Sequence, residues 1–577
     1  MTYAKHFNTR QTSQRDPIPG SSQVKNSAGG YSFPVDDWTR FDRFLVLGSE
    51  GGSYYASEKK LTIQNAECVI RCIKADGLKA VERIVAVSQE GRAPKNDPAI
   101  FALALALKQG DLDTRRAAKD AVPKVCRIGT HIFQFAEACK ALGGWGRLTA
   151  KAVAAYYNGK TPDRLALDLF KYQSRDGWTH RDLLAKSHLG AKKGTEFATK
   201  AHETLFRYLV ADGKLARRTV KRTAKDGTVL SEGTYKRLYK RDLPRLVEGV
   251  EKAREATSAR ETAKLIREYD LPRECVKTEH LNDLAVWEAL LMAGKGMPVT
   301  AMIRNLGKMS SIGLLKPLSA ASKFVVSRLR DPEVLAYGRV HPMSILMALR
   351  TYEQGHGTKG KLTWTADKNI VSAMDKAFYL AFKAVKPTNQ NWLLALDVSG
   401  SMGSAMAGTS LTCREGAAAM ALVTMNVEPA YHVIGFTGGN GRSQWGNGGR
   451  YGAGVTELAL NDRMSLRDAV TATSRLPFGG TDCALPMIYA TQNKLEVDTF
   501  VVYTDSETWA GNIHPVQALR EYRQKMGRPS KLIVVGMVSN GFSIADPNDA
   551  GMLDVVGFDT AAPNVMSAFA AGDLRHD

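Results

Sequence analysis

The chain has 577 residues, a formal net charge of +21 and a hydrophobic content of 44%. This length exceeds that of one ordinary domain, and the hydrophobic content excludes a mainly disordered chain. No apolar run reaches the roughly 18 residues that a membrane-spanning helix needs, and the polar first 32 residues do not look like a secretory signal. The seven cysteines lack C-x-x-C pairs, which favours reduced thiols and a cytoplasmic protein without a membrane partner.

The excess of positive over negative charge lies in the first two thirds of the chain. From Asn391 onwards there are 13 basic and 18 acidic residues, a net charge of −5, so the residues before Asn391 carry +26. A strongly basic part beside a mildly acidic one predicts a polyanionic partner for the basic part only. We therefore favour nucleic acid as the partner over a helical surface that is merely soluble.

Residues 1–34 are predicted to form an extended N-terminal arm, because turn-forming residues are spread along them. These are Pro17, Pro19, Gly20, Gly29 and Gly30. From 35 to 386 the pattern changes to apolar residues at three- and four-residue spacing, as in 131–139 and 284–291, which predicts helices. No strict repeat is present, so we expect a degenerate array of helical pairs.

Two segments of the helical part allow more than one interpretation. Residues 213–245 are the densest basic tract of the chain and are either an RNA contact or a solvated helix face. Residues 355–361 (GHGTKGK) nearly fit a phosphate-binding loop, but Leu362 stands where a Mg²⁺-binding hydroxyl is needed. Since HExxH, zinc-spaced clusters and G-x-S-x-G are also missing from the sequence, we expect no enzyme.

Residues 387–390 mark the boundary to a second domain, predicted at 391–577. Strand-like and helix-like runs alternate there, which indicates a mostly parallel sheet covered by helices. The strand-like runs are 392–396, 431–436, 500–504, 532–537 and 555–558, and the helix-like runs are 414–427, 466–476, 484–495 and 515–526. A Gly-rich loop at 438–454 is either a flexible spacer or a contact for single-stranded RNA, and the spacer is the simpler interpretation.

Oxygen-bearing side chains follow two of the predicted strands. Asp397, Ser399 and Ser401 (D-V-S-G-S) come directly after one strand, Asp505 follows another, and Thr481 lies in a G-G-T-D segment between them. Because ligands bind parallel sheets at the carboxyl ends of the strands, these hard oxygen donors predict a divalent-cation site, in the first place for Mg²⁺. The set resembles the metal-ion-dependent adhesion site of von Willebrand factor A domains. In that family the serines and the threonine coordinate the ion, and the aspartates act directly or through water.

Further stretches are similar to the Ro RNA-binding proteins, whose helical part is called the TROVE module. They lie at 23–31, 43–55, 125–131, 171–184, 187–189, 305–307 and 561–566. The resemblance runs from about residue 20 to 575 and looks like the bacterial or phage branch. It implies a ring of HEAT-like helical pairs, a closed α-solenoid, completed by the von Willebrand factor A-like α/β domain.

The resemblance also implies partners and contact residues. In this family, small noncoding Y RNAs bind the basic outer surface, single-stranded ends of defective RNAs enter a central hole, and bacterial relatives cooperate with exoribonucleases. By this pattern Lys171, Arg175 and His188 lie on the Y RNA face. Their neighbours in the same pattern are His131, Arg147, His180 and Arg181.

The expected function is therefore an RNA-binding scaffold, monomeric within its ribonucleoprotein, that holds a small noncoding RNA and captures single-stranded ends of misfolded RNA. Two alternatives stay open. One is a protein-adhesion module on a helical platform, and the other is a metal-dependent nuclease.

Trp145 and Trp178 lie among basic residues and either stack on unpaired bases or pack in the core. Core packing is the simpler interpretation for Trp145.

Overall fold

The computed structural model describes residues 11–48, 66–190, 196–210, 243–294, 296–357, 361–382, 385–406, 411–438, 454–474 and 479–573, and the backbone alone at 219–223 and 229–234. Three features named from the sequence lie partly or largely outside the described residues. They are the first ten residues of the arm, the basic tract at 213–245 and the Gly-rich loop at 438–454.

Helices follow one another through the described residues of the first part of the chain, as the spacing of apolar residues predicts. They are α1 (Asp37–Leu47), α2 (Glu67–Ala75), α3 (Gly77–Glu90), α4 (Asp97–Gln109), α5 (Leu112–Val125), α6 (Gly129–Ala141), α7 (Arg147–Asn158), α8 (Pro162–Lys171), α9 (His180–Ser187), α10 (Lys200–Val210), α11 (Arg245–Glu255), α12 (Ala259–Tyr269), α13 (Leu284–Met292), α14 (Val299–Ser311), α15 (Ala320–Leu329), α16 (Pro332–Tyr337), α17 (Pro342–Glu353) and α18 (Lys368–Leu380). Most of them pack against helices close to them in the chain, as in an array of helical pairs.

Polar side chains fix where several helices begin. Asp111 accepts a hydrogen bond from the backbone N–H of Thr114 at the start of α5, and a capping box of Thr179 and Asp182 starts α9. Such caps stabilise a helix by about 1 kcal/mol.

Helix α4 is apolar and buried along almost its whole length, from residue 98 to residue 107. It is therefore a helix of the hydrophobic core. None of the described helices combines the length and the apolar character that crossing a membrane requires.

Short hairpins in the arm and between helices are the part of the fold that the helical spacing does not predict. The arm contains β1 (Val24–Lys25) and β2 (Tyr31–Pro34), paired antiparallel. Strands β3 (Ser174–Arg175) and β4 (Trp178–Thr179) connect α8 to α9, and β5 (Thr219–Thr223) and β6 (Val229–Thr234) pair within the basic tract. In the β3–β4 turn, Asp176 and Gly177 have φ of 52° and 77°, which is the Asp-Gly turn that favours tight hairpins.

The second part of the chain is an α/β domain with a six-stranded sheet, in the order β13-β11-β10-β7-β8-β9. Its strands are β7 (Asn391–Asp397), β8 (Ala430–Phe436), β9 (Val455–Glu457), β10 (Thr499–Thr504), β11 (Lys531–Gly536) and β13 (Met552–Val556), and its helices are α19 (Cys413–Met425), α20 (Leu466–Ser474), α21 (Leu485–Gln492), α22 (Pro515–Met526) and α23 (Ala562–Ala571). All neighbours pair in parallel except β8 and β9. The predicted mostly parallel sheet is confirmed.

The two ends of the helical array meet beside the α/β domain. The guanidinium Nε of Arg339 donates to the carbonyl of Gln89 at 2.8 Å, although 250 residues separate them. The ring Nε2 of His341 lies 3.2 Å from the carbonyl of Arg92 and 2.9 Å from that of Phe558. The array therefore closes on itself against the α/β domain.

A buried ion pair ties α1 to the sheet. The Nη2 atom of Arg43 donates to both carboxylate oxygens of Asp554 in β13, at 2.8 and 2.6 Å. Its Nη1 atom donates to the carbonyls of Asn540 and Phe542. Arg43 is fully buried, so its charge depends on these oxygens, because a buried charge without partners is costly.

We expect Asp554→Asn to lower the free energy of unfolding by about 3–5 kcal/mol, since it leaves the Arg43 guanidinium buried without a carboxylate. Urea unfolding followed by tryptophan fluorescence measures this loss. The matched control is Asp113→Asn, which removes the partner of Arg116 on the exposed face of α5 and is expected to shift the unfolding midpoint little. Equal shifts for the two variants would show that the Arg43 pair is not a structural tie.

Candidate cation site and basic helical surface

The loops that follow β7 and β10 meet at the carboxyl end of the sheet. Asp397 ends β7 and Asp505 directly follows β10, and these strands are parallel neighbours. The G-G-T-D segment joins them from the side, because the N–H of Gly400 donates to the carbonyl of Gly479 at 3.3 Å. The carbonyl of Thr481 in turn accepts from two N–H groups of the loop after Asp505. The three segments named from the sequence thus lie at one edge of the sheet.

Hydrogen bonds connect four of the five oxygen-bearing side chains. The carboxylate Oδ1 of Asp397 accepts from the backbone N–H of Ser399 at 2.9 Å. The hydroxyls of Ser399 and Ser401 lie 3.2 Å apart, and the side chain of Ser401 hydrogen-bonds to the carboxylate of Asp505. Thr481 is 3% exposed, and its backbone bonds hold it beside this row.

The two carboxylates of this row are in an unfavourable electrostatic environment. Burial, together with the nearby charge of Asp505, raises the pKa of Asp397 well above its ordinary value, and burial also raises the pKa of Asp505. The hydroxyl of Thr504 donates to Asp397 at 2.6 Å and offsets part of this cost. A cation held between the two carboxylates would remove their mutual repulsion.

The donor set fits a hard divalent cation. It consists of two carboxylates and three hydroxyls, which are the oxygen ligands that suit Mg²⁺, an ion that keeps several of its own waters. Among the described residues there is no group of three or more His, Cys, Asp or Glu side chains that could hold a metal ion, so nitrogen- and sulfur-rich zinc sites are not indicated there.

Several residues that support this edge were missed by the sequence reasoning. Besides Thr504, the guanidinium of Arg414 in α19 donates to the carbonyls of Val398 and Ser399, at 2.7 and 3.3 Å. These bonds hold the backbone of the D-V-S-G-S loop against α19. The sequence could have indicated Thr504, because this residue directly precedes the predicted ligand Asp505. It gives no comparable indication for Arg414, which lies outside the three ligand segments.

The three residues of the proposed Y RNA face lie in one short stretch of the chain, where Arg175 and His188 are exposed and Lys171 is half-buried. Lys171 ends α8, Arg175 lies in β3 and His188 follows α9. The side chain of Arg175 is 56% exposed and pairs only with its neighbour Asp176, at 3.5 Å, among the ion pairs of the described residues. His188 is also exposed, at the left-handed end of α9 with φ of 53°.

The four neighbouring residues divide into two groups. Arg147 and Arg181 are exposed, and Arg181 donates two hydrogen bonds to the carbonyl of Leu209. The other two are histidines whose rings are held inside the helical part. His180 is 2% exposed and its Nδ1 lies 2.9 Å from the hydroxyl of Tyr157, and burial lowers the pKa of His180 to about 4 and that of His131 to about 3. Both imidazoles are therefore neutral at pH 7.

The two tryptophans named from the sequence pack on each other. Their rings stack with centroids 5.6 Å apart, and the ammonium of Lys186 lies 5.9 Å from each ring. The indole N–H of Trp178 donates to Glu137 and that of Trp145 to the carbonyl of Lys186. The pair thus stiffens the exposed segment between α8 and α9, and this arrangement corresponds to the packing interpretation.

Comparisons with known proteins match the whole described architecture. Residues 24–390 match the family model described as the TROVE domain, and residues 391–570 match the one described as the Ro60 vWA domain. The chain is 42% identical to the RNA-binding protein RO60 of Deinococcus radiodurans over 98% of both chains. It is 36% identical to the RNA-binding protein RO60 of Caenorhabditis elegans, covering 96% of this chain and 90% of that protein. The crystal structure of the Deinococcus radiodurans RO (RSR) protein superposes with a TM-score of 0.65, covering 93% of this chain and 100% of that one.

We expect Asp397→Asn to abolish stabilisation by Mg²⁺, because it removes one of the two buried carboxylates. For the unchanged protein, Mg²⁺ at 100 times its Kd adds about 2.7 kcal/mol to the free energy of unfolding. Thermal unfolding with and without Mg²⁺ measures the difference. Asp462→Asn, at an exposed position of the same domain, is the control and should keep the response. A variant at Asp397 that Mg²⁺ still stabilises fully would remove this carboxylate from the site.

Proposed function

The chain belongs to the Ro family of TROVE-domain proteins, and from this premise we propose that it is an RNA-binding scaffold. It binds a small noncoding Y-type RNA on its basic helical surface and single-stranded ends of misfolded RNA in the opening of the ring, in RNA quality control or maturation. The observation that carries the proposal is the segment from Lys171 to His188, in which Arg175, Arg181 and Lys186 are exposed and Lys171 is half-buried. It lies in the part of the chain before Asn391, which has a net charge of +26.

The charge of this segment is available to phosphates. Exposed Lys and Arg side chains bind nucleic acid by displacing condensed counterions, so affinity falls as salt rises. Lys171 ends α8 beside Tyr172, with its ammonium 5.6 Å from that ring, and Arg175 extends from the tight β3–β4 turn. In this proposal Lys171, Arg175, His188, Arg147 and Arg181 contact the RNA.

The buried His180 and the half-buried His131 have a different place in the proposal. His131 lies in the first turn of α6 and His180 is the first residue of α9, and their rings hydrogen-bond within the helical part. We assign them to holding these helix ends in position beneath the RNA, and not to base or phosphate contact. The bare face of Gly129, where an added Cβ would lie 3.3 Å from the His180 ring, shows how closely the two helix ends pack.

The α/β domain contributes a divalent cation, in the first place Mg²⁺, held by Asp397, Ser399, Ser401, Thr481 and Asp505. The ion neutralises the buried carboxylates at the sheet edge. The protein-adhesion alternative is not favoured, because the similarity to proteins named as RNA-binding extends over both parts of the chain. We further propose that the protein is a cytoplasmic monomer in its ribonucleoprotein and that an exoribonuclease is among its partners.

Lys171→Glu combined with Arg175→Glu is expected to weaken binding of structured small RNA by about 3–6 kcal/mol, since two charged hydrogen bonds are replaced by repulsion. The salt dependence should also become shallower, by about 1.4–1.8 in log–log slope for two phosphate contacts, depending on whether they lie in single-stranded or duplex RNA. Filter binding across a salt series measures both quantities.

The matched control makes the same change of charge in the acidic domain. Lys494→Glu with Lys525→Glu alters two exposed lysines of the α/β domain and should leave RNA affinity nearly unchanged. If both pairs weaken binding equally, only the total charge matters and the segment at 171–188 is not the contact surface.

The nuclease alternative makes a separate prediction. A Mg²⁺-dependent nuclease needs a base or a second metal beside the ion to activate water, and the described donor set has only two carboxylates in the row. We expect labelled RNA to stay intact during prolonged incubation with purified protein and Mg²⁺. Cleavage products that Asp397→Asn eliminates would establish the nuclease instead.

A further inference from the structure

The N-terminal arm lies across the edge of the sheet that holds the candidate cation site. Strand β2 pairs antiparallel with β12 (Phe542–Ser543), which follows β11. The arm also has side chains buried against the loop after Asp505: Gln14 is 0% exposed, Asn26 5% and Ser32 1%. A segment that reads as a polar, turn-rich tail is therefore part of the packed α/β domain.

Gln14 connects two of the loops that carry the proposed ligands. Its amide nitrogen donates to the carboxylate of Asp482 at 2.7 Å and to the carbonyl of Ile513 at 2.8 Å. Its amide oxygen accepts from the hydroxyl of Thr508 at 2.5 Å and from the N–H of Gly511 at 3.2 Å. Asp482 directly follows Thr481, and the other three partners lie in the loop after Asp505. The side chain is thus saturated with hydrogen bonds across the gap between the loops.

The backbone of the arm reinforces the same contact. The N–H of Gln14 donates to the carbonyl of Gly511 at 3.0 Å. Further along, the amide of Asn26 donates to the carbonyl of Thr508 at 2.8 Å, and the N–H of Ala28 donates to the carboxylate of Glu507 at 2.9 Å. A Cβ at Gly30 would lie 1.9 Å from the carbonyl oxygen of Thr508, so only glycine permits this approach.

We propose that the arm is a component of the cation site, and that Gln14 is the positioning residue that holds the Thr481 loop and the Asp505 loop at the spacing the ion requires. The proposal rests on the cation site proposed above. The physical reason is that Mg²⁺ demands near-ideal octahedral geometry. The two loops bond to each other directly at the carbonyl of Thr481 and between the N–H of Cys483 and the hydroxyl of Thr508. Gln14 adds four further hydrogen bonds that join the carboxylate of Asp482 to the loop after Asp505. The contacts of the arm reinforce this direct pairing of the loops, and such supporting bonds orient the ligands of a metal.

The test uses the full chain with Gln14→Ala, and with Gln11→Ala as the matched control. Gln11 is a glutamine of the same arm, but it is exposed and bonds only to Glu521 among the described hydrogen bonds of its side chain. Calorimetric titration with Mg²⁺ should show an affinity at least tenfold weaker for Gln14→Ala and a change below twofold for Gln11→Ala. RNA affinity should be unchanged in both variants, since the arm lies on the α/β domain.

A second readout separates this proposal from the cation site itself. Hydrogen exchange of the cation-free proteins should show the amides of 507–513 exchanging at least tenfold faster in Gln14→Ala, while those of β11 keep the rate of the unchanged protein. Should the unchanged protein bind no Mg²⁺, the cation site fails and the exchange result alone decides the role of the arm. Unchanged exchange at 507–513, or an unchanged Mg²⁺ affinity in a variant that does bind, overturns the proposal.

A milder variant covers the case in which Gln14→Ala does not fold. Asn26→Ala removes the bond to the carbonyl of Thr508 and the bonds of the same amide to Ser32 and Gly30 within the arm, and it leaves the Gln14 side chain unchanged. It should move both readouts in the same direction by a smaller factor, of two to five. No change in either readout for a folded Asn26→Ala, together with an unfolded Gln14→Ala, would assign the arm to folding alone and refute the positioning role.

Discussion

The architecture depends on a junction where three distant parts of the chain meet around one neutral imidazole. The His341 ring bonds to carbonyls of Arg92 and Phe558, and burial lowers its pKa to about 4, so it is uncharged at pH 7. Beside it Arg92 forms an ion pair with Asp559. Closing a chain segment of about 250 residues has an entropic cost that grows only slowly with length, so a small number of buried bonds at this junction suffices to hold the ends of the array together.

The two parts of the chain use charge in opposite ways. In the helical part the excess of Lys and Arg is carried on exposed side chains such as Arg175 and Arg147, where it stays solvated and available to a polyanion. In the α/β domain, Asp397 and Asp505 are buried at a strand edge, where their charge is costly without a counterion. The proposed phosphate-binding surface and the proposed cation site therefore lie in parts of the chain with opposite net charge, +26 before Asn391 and −5 after it.

The arm shows how elements remote in the sequence complete a local structure. The carboxyl end of a parallel sheet is formed by loops, and loops are the least constrained parts of such a domain. Here the loop after Asp505 is bonded to Gln14, Asn26 and Ala28, nearly 500 residues earlier. The buried ion pair of Arg43 with Asp554 continues this attachment from the arm to the first helix, so the N-terminal residues 11–48 belong structurally to both parts of the molecule.

Much of this organisation follows from the sequence, because it is encoded by neighbours in the chain. Continuous apolar strands alternating with helices predict the parallel sheet, and Asp397, Ser399, Ser401 and Asp505 fall at its carboxyl edge because each directly follows such a strand. The Asp176-Gly177 pair is itself a local indication of a tight hairpin. The apolar spacing of the flanking segments, which is typical of helices, does not predict this hairpin.

Other features were decided only by tertiary structure. His180 and His188 flank the same short helix, yet one ring is buried against Tyr157 and the other is exposed, because the difference depends on what packs against each end and not on the helix itself. Likewise nothing in the polar sequence around Gln14 indicates burial: a glutamine is stable there only because donors and acceptors from Asp482, Thr508, Gly511 and Ile513 are brought to it by the folding of a domain that begins more than 370 residues later. Sequence determined the local elements and their chemistry, whereas long-range packing determined which side chains are buried, paired or exposed.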